Sequence, residues 1–336
     1  MRILVTGGAG FIGSNFIHFL LGKRPDWQII NLDKLTYAGN LANLSDIVDD
    51  NRYQFVKGDI CDDGDVAGVF RNGFDYVVNF AAESHVDRSL YEPSLFLRTN
   101  ILGTQVLLEN SLKSGVKRFA QISTDEIYGS LGPVGYFAED SPMAPNSPYA
   151  ASKASADLLC RSYYKTFNMP VVVTRAGNNY GPYQFPEKLI PFFLTRALKD
   201  EPLPLYGDGL NVRDWLYVED HCEGILTVLE KGRDGESYNI GGGNERTNLE
   251  ITKKILEILG KSESLIEFVK DRPGHDRRYA LDYRKVKMEL GWQPKKEFSQ
   301  GLSETIEWYR KNRQWWRDIL SGDYMKFYEL HYRERR

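Results

Sequence analysis

The sequence lacks what would tie it to a disulfide scaffold, a metal centre, a membrane or a nucleic acid. Its 336 residues hold three cysteines, Cys61, Cys160 and Cys222. They are far apart and in no CxxC spacing, which excludes a disulfide framework and a zinc ribbon. The five histidines, His18, His85, His221, His275 and His331, form no HExxH or HxH pair, so no metal is expected. Apolar runs such as Val171–Val173 and Ile190–Leu194 fall far short of the ~20 residues of a membrane span. There is no basic excess. Against 43 Lys and Arg stand 46 Asp and Glu, a net charge of −3, and a chain so balanced is not a strong electrostatic binder of nucleic acid. Repeats and low-complexity segments are missing too. The opening Met1-Arg2-Ile3-Leu4-Val5-Thr6-Gly7 stops at a Thr-Gly turn before a signal sequence could form, so a reduced, cytoplasmic location is expected.

What is present is the balance of a soluble globular protein, 42% hydrophobic and 26% charged. Dense apolar runs, Arg2–Thr6, Gln28–Leu32, Tyr53–Lys57, Tyr76–Phe80, Phe119–Ser123 and Val171–Thr174, suit strands of a sheet buried on both faces. Amphipathic stretches such as Phe11–Leu21 alternate with them. The alternation predicts an α/β fold with a doubly wound parallel (Rossmann) sheet. Beyond Asn178 the chain is richer in Pro, Asn and Gly, and helices are expected at Thr247–Leu259 and Phe298–Asn312. We therefore expect a dinucleotide-binding domain over residues 1–176 and a smaller mixed α/β substrate lobe over 177–336. Tyr217–Glu230 is the candidate for a segment that returns to the sheet.

Gly7-Gly8-Ala9-Gly10-Phe11-Ile12-Gly13 follows the first strand and opens the first helix. Gly7 permits a tight turn, Gly10 lets a pyrophosphate approach the positive end of the helix, and Gly13 lets that helix pack on the sheet. Asp33 ends the second strand. A carboxylate there can bind adenosine ribose hydroxyls and would repel a 2′-phosphate, so NAD is favoured over NADP. Asp59-Ile60 follows the third strand, where a side chain can meet an adenine edge. Tyr149 and Lys153 form a YxxxK pair, one helical turn apart and so on one face. A free phenol with a pKa of about 10 is only about one part in a thousand ionised at neutral pH. A nearby ammonium favours the anion and can make Tyr149 a base. Ser123-Thr124 ends the fifth strand, where ligand-facing residues of an open α/β sheet lie. Thr124-Asp125-Glu126 adds two carboxylates there. Oxidation and reduction need neither, whereas removing water needs an acid and a second base.

These features resemble the extended short-chain dehydrogenase/reductases over the whole chain. Four further blocks, Ala81–Ser89, Asn178–Pro191, Asn211–Trp215 and Asp271–Tyr279, resemble one of their families, the dTDP-glucose 4,6-dehydratases. The resemblance implies that a dTDP-glucose-type nucleotide sugar is oxidised at C4, loses water across C5 and C6, and recovers its hydride at C6. Thr124 would bind near the 4-hydroxyl and Tyr149, assisted by Lys153, would take the O4 proton. Glu126 would take the C5 proton and Asp125 would protonate the leaving 6-hydroxyl. Around NAD the resemblance places Gly7, Gly10, Phe11, Ile12, Gly13, Asp33, Lys34, Leu35, Thr36, Asp59, Ile60, Phe80, Ala81, Ala82, Ser84, Thr99 and Asn179, besides Tyr149 and Lys153. On the substrate side it places Ser84, His85, Thr124, Asn178, Glu187, Lys188, Leu189, Pro204, Tyr206, Arg213, Asn248, Asp271, Arg272, His275 and Tyr279. Lys188, Arg213 and Arg272 suit a diphosphate. The family pairs two helices across a two-fold axis, which implies a homodimer. Leu95, Thr99, Leu102, Val106, Leu107 and Ser111 on one stretch and Ser152–Tyr163 on another are the expected faces. Three alternatives stay open: a 4-epimerase on the same fold, a 4,6-dehydratase acting on a UDP or CDP sugar, and a non-catalytic NAD-sensing protein.

Overall fold

A computed structural model describes residues 1–271 and 274–321. The first six strands are β1 (Arg2–Thr6), β2 (Gln28–Asp33), β3 (Tyr53–Lys57), β4 (Tyr76–Asn79), β5 (Arg118–Thr124) and β6 (Val171–Ala176). The next six are shorter or lie later: β7 (Asn178–Tyr180), β8 (Leu203–Tyr206), β9 (Val212–Tyr217), β10 (Ser237–Ile240), β11 (Glu245–Thr247) and β12 (Ile266–Val269). The first six and β10 make a seven-stranded sheet in the order β10-β6-β5-β4-β1-β2-β3. Every pairing in it is parallel. A parallel sheet needs both faces covered, and β6, buried at all six positions, shows why its sequence is an unbroken apolar run ending in Thr-Arg-Ala.

The first helices cover that sheet. They are α1 (Phe11–Lys23), α2 (Asp63–Phe70), α3 (Val86–Tyr91), α4 (Pro93–Phe96), α5 (Thr104–Ser114) and α6 (Pro148–Phe167). A π-helical stretch, Leu97–Gly103, joins α4 to α5. On one face, Phe16, Ile17 and Leu20 of α1 pack with Ile225, Val228 and Leu229. On the other, Val66, Leu107, Leu108, Cys160 and Tyr163 pack against Leu4, Val77 and Phe119. The later helices are α7 (Leu189–Ala197), α8 (Val218–Lys231), α9 (Asn248–Leu259), α10 (Arg284–Leu290), α11 (Phe298–Lys311) and α12 (Arg313–Ser321). Helix α8 lies along α1, and β10 after it takes the place beside β6. A separate apolar cluster, Tyr180 through Trp316, fills the space between α7, α9, α11 and the small sheets β11-β9-β7 and β12-β8.

Local chemistry sets the ends of these helices. Ser147 caps α6 by accepting from the Ala150 amide at 3.1 Å, Pro148 fills its first position, and Asn168 stops it in the left-handed region. Thr247 and Glu250 form a capping box on α9. Helix α12 packs on the body of the molecule: Trp316 is buried and Trp315 Nε1 donates to Asn43 Oδ1 at 2.8 Å. Residues 322–336 lie outside the described residues.

Candidate active site

One cavity runs from the glycine loop to the ends of β5 and β6 and on to the segment before α7. At its first end Gly7 sits at φ +69°, where a Cβ would lie 2.6 Å from the Ala81 amide nitrogen. Only glycine fits there. A Cβ on Gly13 would meet the Gly7 carbonyl at 2.4 Å, so the helix closes directly onto the turn. Helix α1 begins at Gly10 with no side-chain cap, and Gly10, Phe11, Ile12 and Gly13 line the cavity. The amides of that first turn are thus left to a ligand, in the geometry that holds anions.

Asp33 is buried at the tip of β2. Its Oδ2 accepts from the Ala9 amide at 2.9 Å and its Oδ1 from the Leu35 amide at 2.8 Å. Burial pushes this carboxyl up and the two amides hold it down. Each oxygen keeps a second lone pair for a hydroxyl. Asp33 therefore braces the glycine loop as well as facing the cavity. Leu35, at φ +58°, does not line the cavity; its amide is its contribution. Lys34 pairs with Asp59 at 2.8 Å. Thr36, Ile60, Phe80, Ala81, Ala82, Ser84, Thr99 and Asn179 are all in the lining.

The residues expected to be catalytic gather where β5 stops. Thr124 caps a short turn, Asp125–Tyr128: its hydroxyl accepts from the Glu126 amide at 3.2 Å and donates to Asp125 Oδ1 at 3.2 Å. Tyr149 and Lys153, on the first turns of α6, enter the same space. Burial pushes the Tyr149 phenol far up, the charge on Glu126 pushes it further, and the Thr124 hydroxyl pulls it down. Burial lowers the Lys153 ammonium, whose Nζ donates to the Ile122 carbonyl at 2.6 Å. The ammonium's direct bond is thus to strand β5, since a buried –NH3⁺ takes a nearby carbonyl, while it shares the cavity with the phenol. Asp125, 2% exposed, is pushed well above the usual carboxylate range by burial, then by Glu126, against the pull of Arg213. That favours a carboxylic acid beside a carboxylate, the division of labour that acid–base chemistry needs.

The residues expected on the substrate side fall into two groups. Ser84, Asn178, Glu187, Lys188 and Leu189 line the cavity, and Lys188 Nζ donates to the Ser84 carbonyl at 2.9 Å. Pro204, Tyr206, Arg213, Asn248, Asp271, His275 and Tyr279 lie outside that lining. Arg213 stacks 4.4 Å from the Tyr279 ring centroid and donates to the Asp276 carbonyl at 2.9 Å. The His275 ring meets Tyr206 edge-on at 6.1 Å and pairs with Asp271 at 2.6 Å. Asn248 is buried at the start of α9 and Pro204 lies on β8. The two groups adjoin, since Arg213 acts on Asp125 and Glu126 acts on Tyr279. His85 caps α3 and lies 3.8 Å from Glu187. Arg272 lies outside the described residues.

Sequence reasoning missed Glu83, Gln184, Phe185, Trp215 and His221, all of them lining residues. His221 is buried, and burial lowers it to about 3, so it is neutral. Its Nδ1–H donates to Asn179 Oδ1 at 2.9 Å, while Asn179 Nδ2 donates to the Gly177 carbonyl at 3.1 Å. No motif spacing marks it; its partner is 42 positions away. Among the lining residues, Ser123 Oγ, Asp125 Oδ2, Gln184 Oε1, Glu187 Oε2, Trp215 Nε1 and His221 Nε2 are buried without a hydrogen-bond partner among the described residues. Such orphans are rare and costly, and their gathering round one cavity fits a polar ligand.

The comparisons with known proteins agree with this geometry. The model of the GDP-mannose 4,6 dehydratase family matches residues 4–305. A dTDP-glucose 4,6-dehydratase of Actinoplanes sp. is 54% identical, with 94% of this chain and 100% of that protein covered. The chain belongs to the dTDP-glucose 4,6-dehydratase family. The family's dTDP-glucose 4,6-dehydratase from Streptomyces venezuelae, solved with NAD and dTDP bound, is 54% identical, covers 95% of this chain and 100% of its own, and superposes with a TM-score of 0.93. The UDP-glucose 4-epimerase of Thermotoga maritima shares the fold at a TM-score of 0.87 but only 36% of the sequence, over 93% of this chain and 100% of its own. The family, like this chain, therefore stands closer to the dehydration reading than to the epimerase one. No helix among the described residues is long and apolar enough to cross a membrane.

Proposed function

We propose that the chain is an NAD-dependent hydro-lyase that converts dTDP-glucose to dTDP-4-keto-6-deoxyglucose and water. The observation that carries this is the carboxyl pair Asp125-Glu126 in one cavity with Tyr149 and Lys153, the first held toward its protonated form by burial and the charge of the second. The residues present fit the dinucleotide: an uncapped helix start, a glycine turn with no room for a side chain, and a buried carboxylate with lone pairs to spare. When bound, NAD supplies the hydride acceptor for C4 and the hydride donor for C6. The chain's own residues move the protons. Thr124 orients the 4-hydroxyl, and Tyr149 Oη takes its proton, with Lys153 as the nearby cation. The resulting ketone acidifies C5–H, which Glu126 removes. Asp125 gives its proton to the departing 6-hydroxyl, and Glu126 returns a proton to C5.

The roles of Gly7, Gly10, Asp33, Asp59 and Asn179 toward NAD, and of Ser84, Asn178, Lys188, Arg213 and His275 toward the nucleotide sugar, belong to this proposal. So do the cytoplasmic location and a homodimer. The test is incubation with dTDP-, UDP- and CDP-glucose and mass analysis of the products. A product lighter by one water, formed fastest from dTDP-glucose, supports the reading. A product of unchanged mass would replace it by 4-epimerisation.

A further inference from the structure

We infer that Tyr37, which is not among the lining residues, is a positioning residue that retains the dinucleotide by fastening the loop after β2 to the segment before α7. The inference rests on the cofactor reading above and goes beyond it. The cavity takes Thr36, Ala38 and Gly39 from that loop and Phe185, Glu187 and Lys188 from that segment. Tyr37 joins the two. Its hydroxyl donates to Glu187 Oε1 at 3.0 Å, across 150 positions of sequence. Its ring meets Phe185 edge-on at 5.5 Å and 84°, a favoured aromatic geometry. The Arg88 guanidinium lies 3.6 Å from the ring centroid, and Arg88 follows Ser84, a third piece of the lining. Three stretches of chain that border one cavity therefore meet on a single side chain.

The contact is built to persist. Glu187 is buried; its Oε2 faces Arg88 Nε at 3.9 Å, while its Oε1 takes the phenol's hydrogen bond, so losing the phenol would strip a buried carboxylate oxygen of that donor. Burial and the neighbouring Glu187 push the phenol well above 10, so it remains a donor at any working pH. The loop is otherwise tied at its ends, by the Leu35 amide on Asp33 at 2.8 Å and the Asn40 amide on the Ala9 carbonyl at 3.0 Å. With Tyr37 released, the hydrogen bond left to the middle of the loop among the described residues is its own turn, from the Gly39 amide to the Thr36 carbonyl at 3.0 Å. A dinucleotide seated beside Asp33 and Gly10 would then leave through a loop that swings more freely. A reaction in which the hydride is returned within each turnover gains from slow cofactor release, and Tyr37 supplies that slowness without touching the reacting atoms.

The experiment compares wild type, Tyr37→Phe and Tyr37→Ala as full chains. Bound NAD is quantified in the purified protein, and its dissociation rate is read by exchange with isotopically labelled NAD. Losing a hydrogen bond to a buried carboxylate predicts dissociation about tenfold faster or more in Tyr37→Phe. Tyr37→Ala should be faster still, because the ring contacts go as well. In a Tyr37→Phe background, Glu187→Gln should change the rate less than it does in wild type, which isolates the pair. Wild-type dissociation rates in Tyr37→Phe would overturn the proposal. So would a fall in the melting temperature of cofactor-free Tyr37→Phe as large as that of the loaded protein, since the bond would then serve general stability. A wild-type chain that binds no NAD would instead overturn the cofactor reading on which this one rests.

Discussion

In the proposed mechanism, two neighbouring residues separate dehydration from simple oxidation: Glu126 is the base for C5 and Asp125 the acid. Glu126→Gln keeps the shape of the side chain and removes the base for C5, while Thr124, Tyr149 and Lys153 remain for the first step. Elimination should fall by a factor of ~10²–10⁴, and a stopped-flow record with dTDP-glucose should show the reduced dinucleotide accumulating with little dehydrated product. Tyr149→Phe should show no such absorbance. If Glu126→Gln made product at the wild-type rate, the pair would be a structural turn. Asp125 carries a pH consequence: its carboxyl is raised by burial and Glu126, so the protonated acid is lost as pH climbs through that raised value. The elimination step should decline on the alkaline side, and Asp125→Asn should abolish that limb of the profile. His221 has the opposite sign. Burial lowers it to about 3 from 6.5. An unfolded chain accepts a proton below pH 6.5 that the native state refuses. The stability tied to neutral His221 is complete above pH 6.5 and drains as pH falls toward 3, at about 1.4 kcal/mol per pH unit. Urea titrations at pH 7, 5.5 and 4.5 should show that part of the slope missing in His221→Gln.

The turn between β1 and α1 shows how much an element can reveal through spacing. Gly7 and Gly13 could be read directly, because Gly7 needs a positive φ and a Cβ on Gly13 would run into the Gly7 carbonyl, whereas a Cβ on Gly10 would lie 3.3 Å from that carbonyl, tight but not forbidden. Gly7→Ala would put a Cβ 2.6 Å from the Ala81 amide nitrogen at φ +69°. Strain of that kind costs on the order of 1–3 kcal/mol, so the melting temperature and NAD affinity should both fall, while Gly22→Ala, with nothing within 4 Å of its Cβ, should leave NAD affinity unchanged. The inner parallel strands were legible too: burial on both faces forces apolar runs, and β1 and β6 lie where those runs are, whereas β3, also where expected, is a partly exposed edge strand. Less legible were residues whose partners are distant. Asp33 gives both oxygens to backbone amides, Lys153 bonds Ile122, and His221 fixes Asn179; none of these follows from spacing. The helical pattern of 95–111 misled in part. Leu95 and Leu102 are exposed, but Leu107 and Ser111 are wholly buried and Thr99 faces the cavity. The π-helical turn Leu97–Gly103 rotates the faces, so a pattern counted at 3.6 residues per turn loses register there.

That rotation shapes the expectation for the whole molecule. Leu97, at 47%, Leu102, at 56%, and Leu158, at 54% exposure, stand outward on the stretch from α4 to α5 and on adjoining α6, helices that already pack on each other. Tyr91 and Leu95 extend the same exposed series. Apolar side chains so placed on neighbouring helices suit an isologous two-fold contact, in which each helix pair faces its own copy. The opposite side of these helices carries Thr99, Tyr149 and Lys153 into the cavity, so a subunit contact here would stiffen one wall of the site from behind. Sedimentation velocity at micromolar concentration should give a dimer. Leu102→Glu and Leu158→Glu, which add charge where nothing in the single chain is displaced, should shift it to monomer. The monomer should keep its far-ultraviolet circular dichroism but bind NAD more weakly, because the wall loses its backing. A wild-type chain that sediments as a monomer would remove the two-fold contact and leave the outward leucines as ordinary surface.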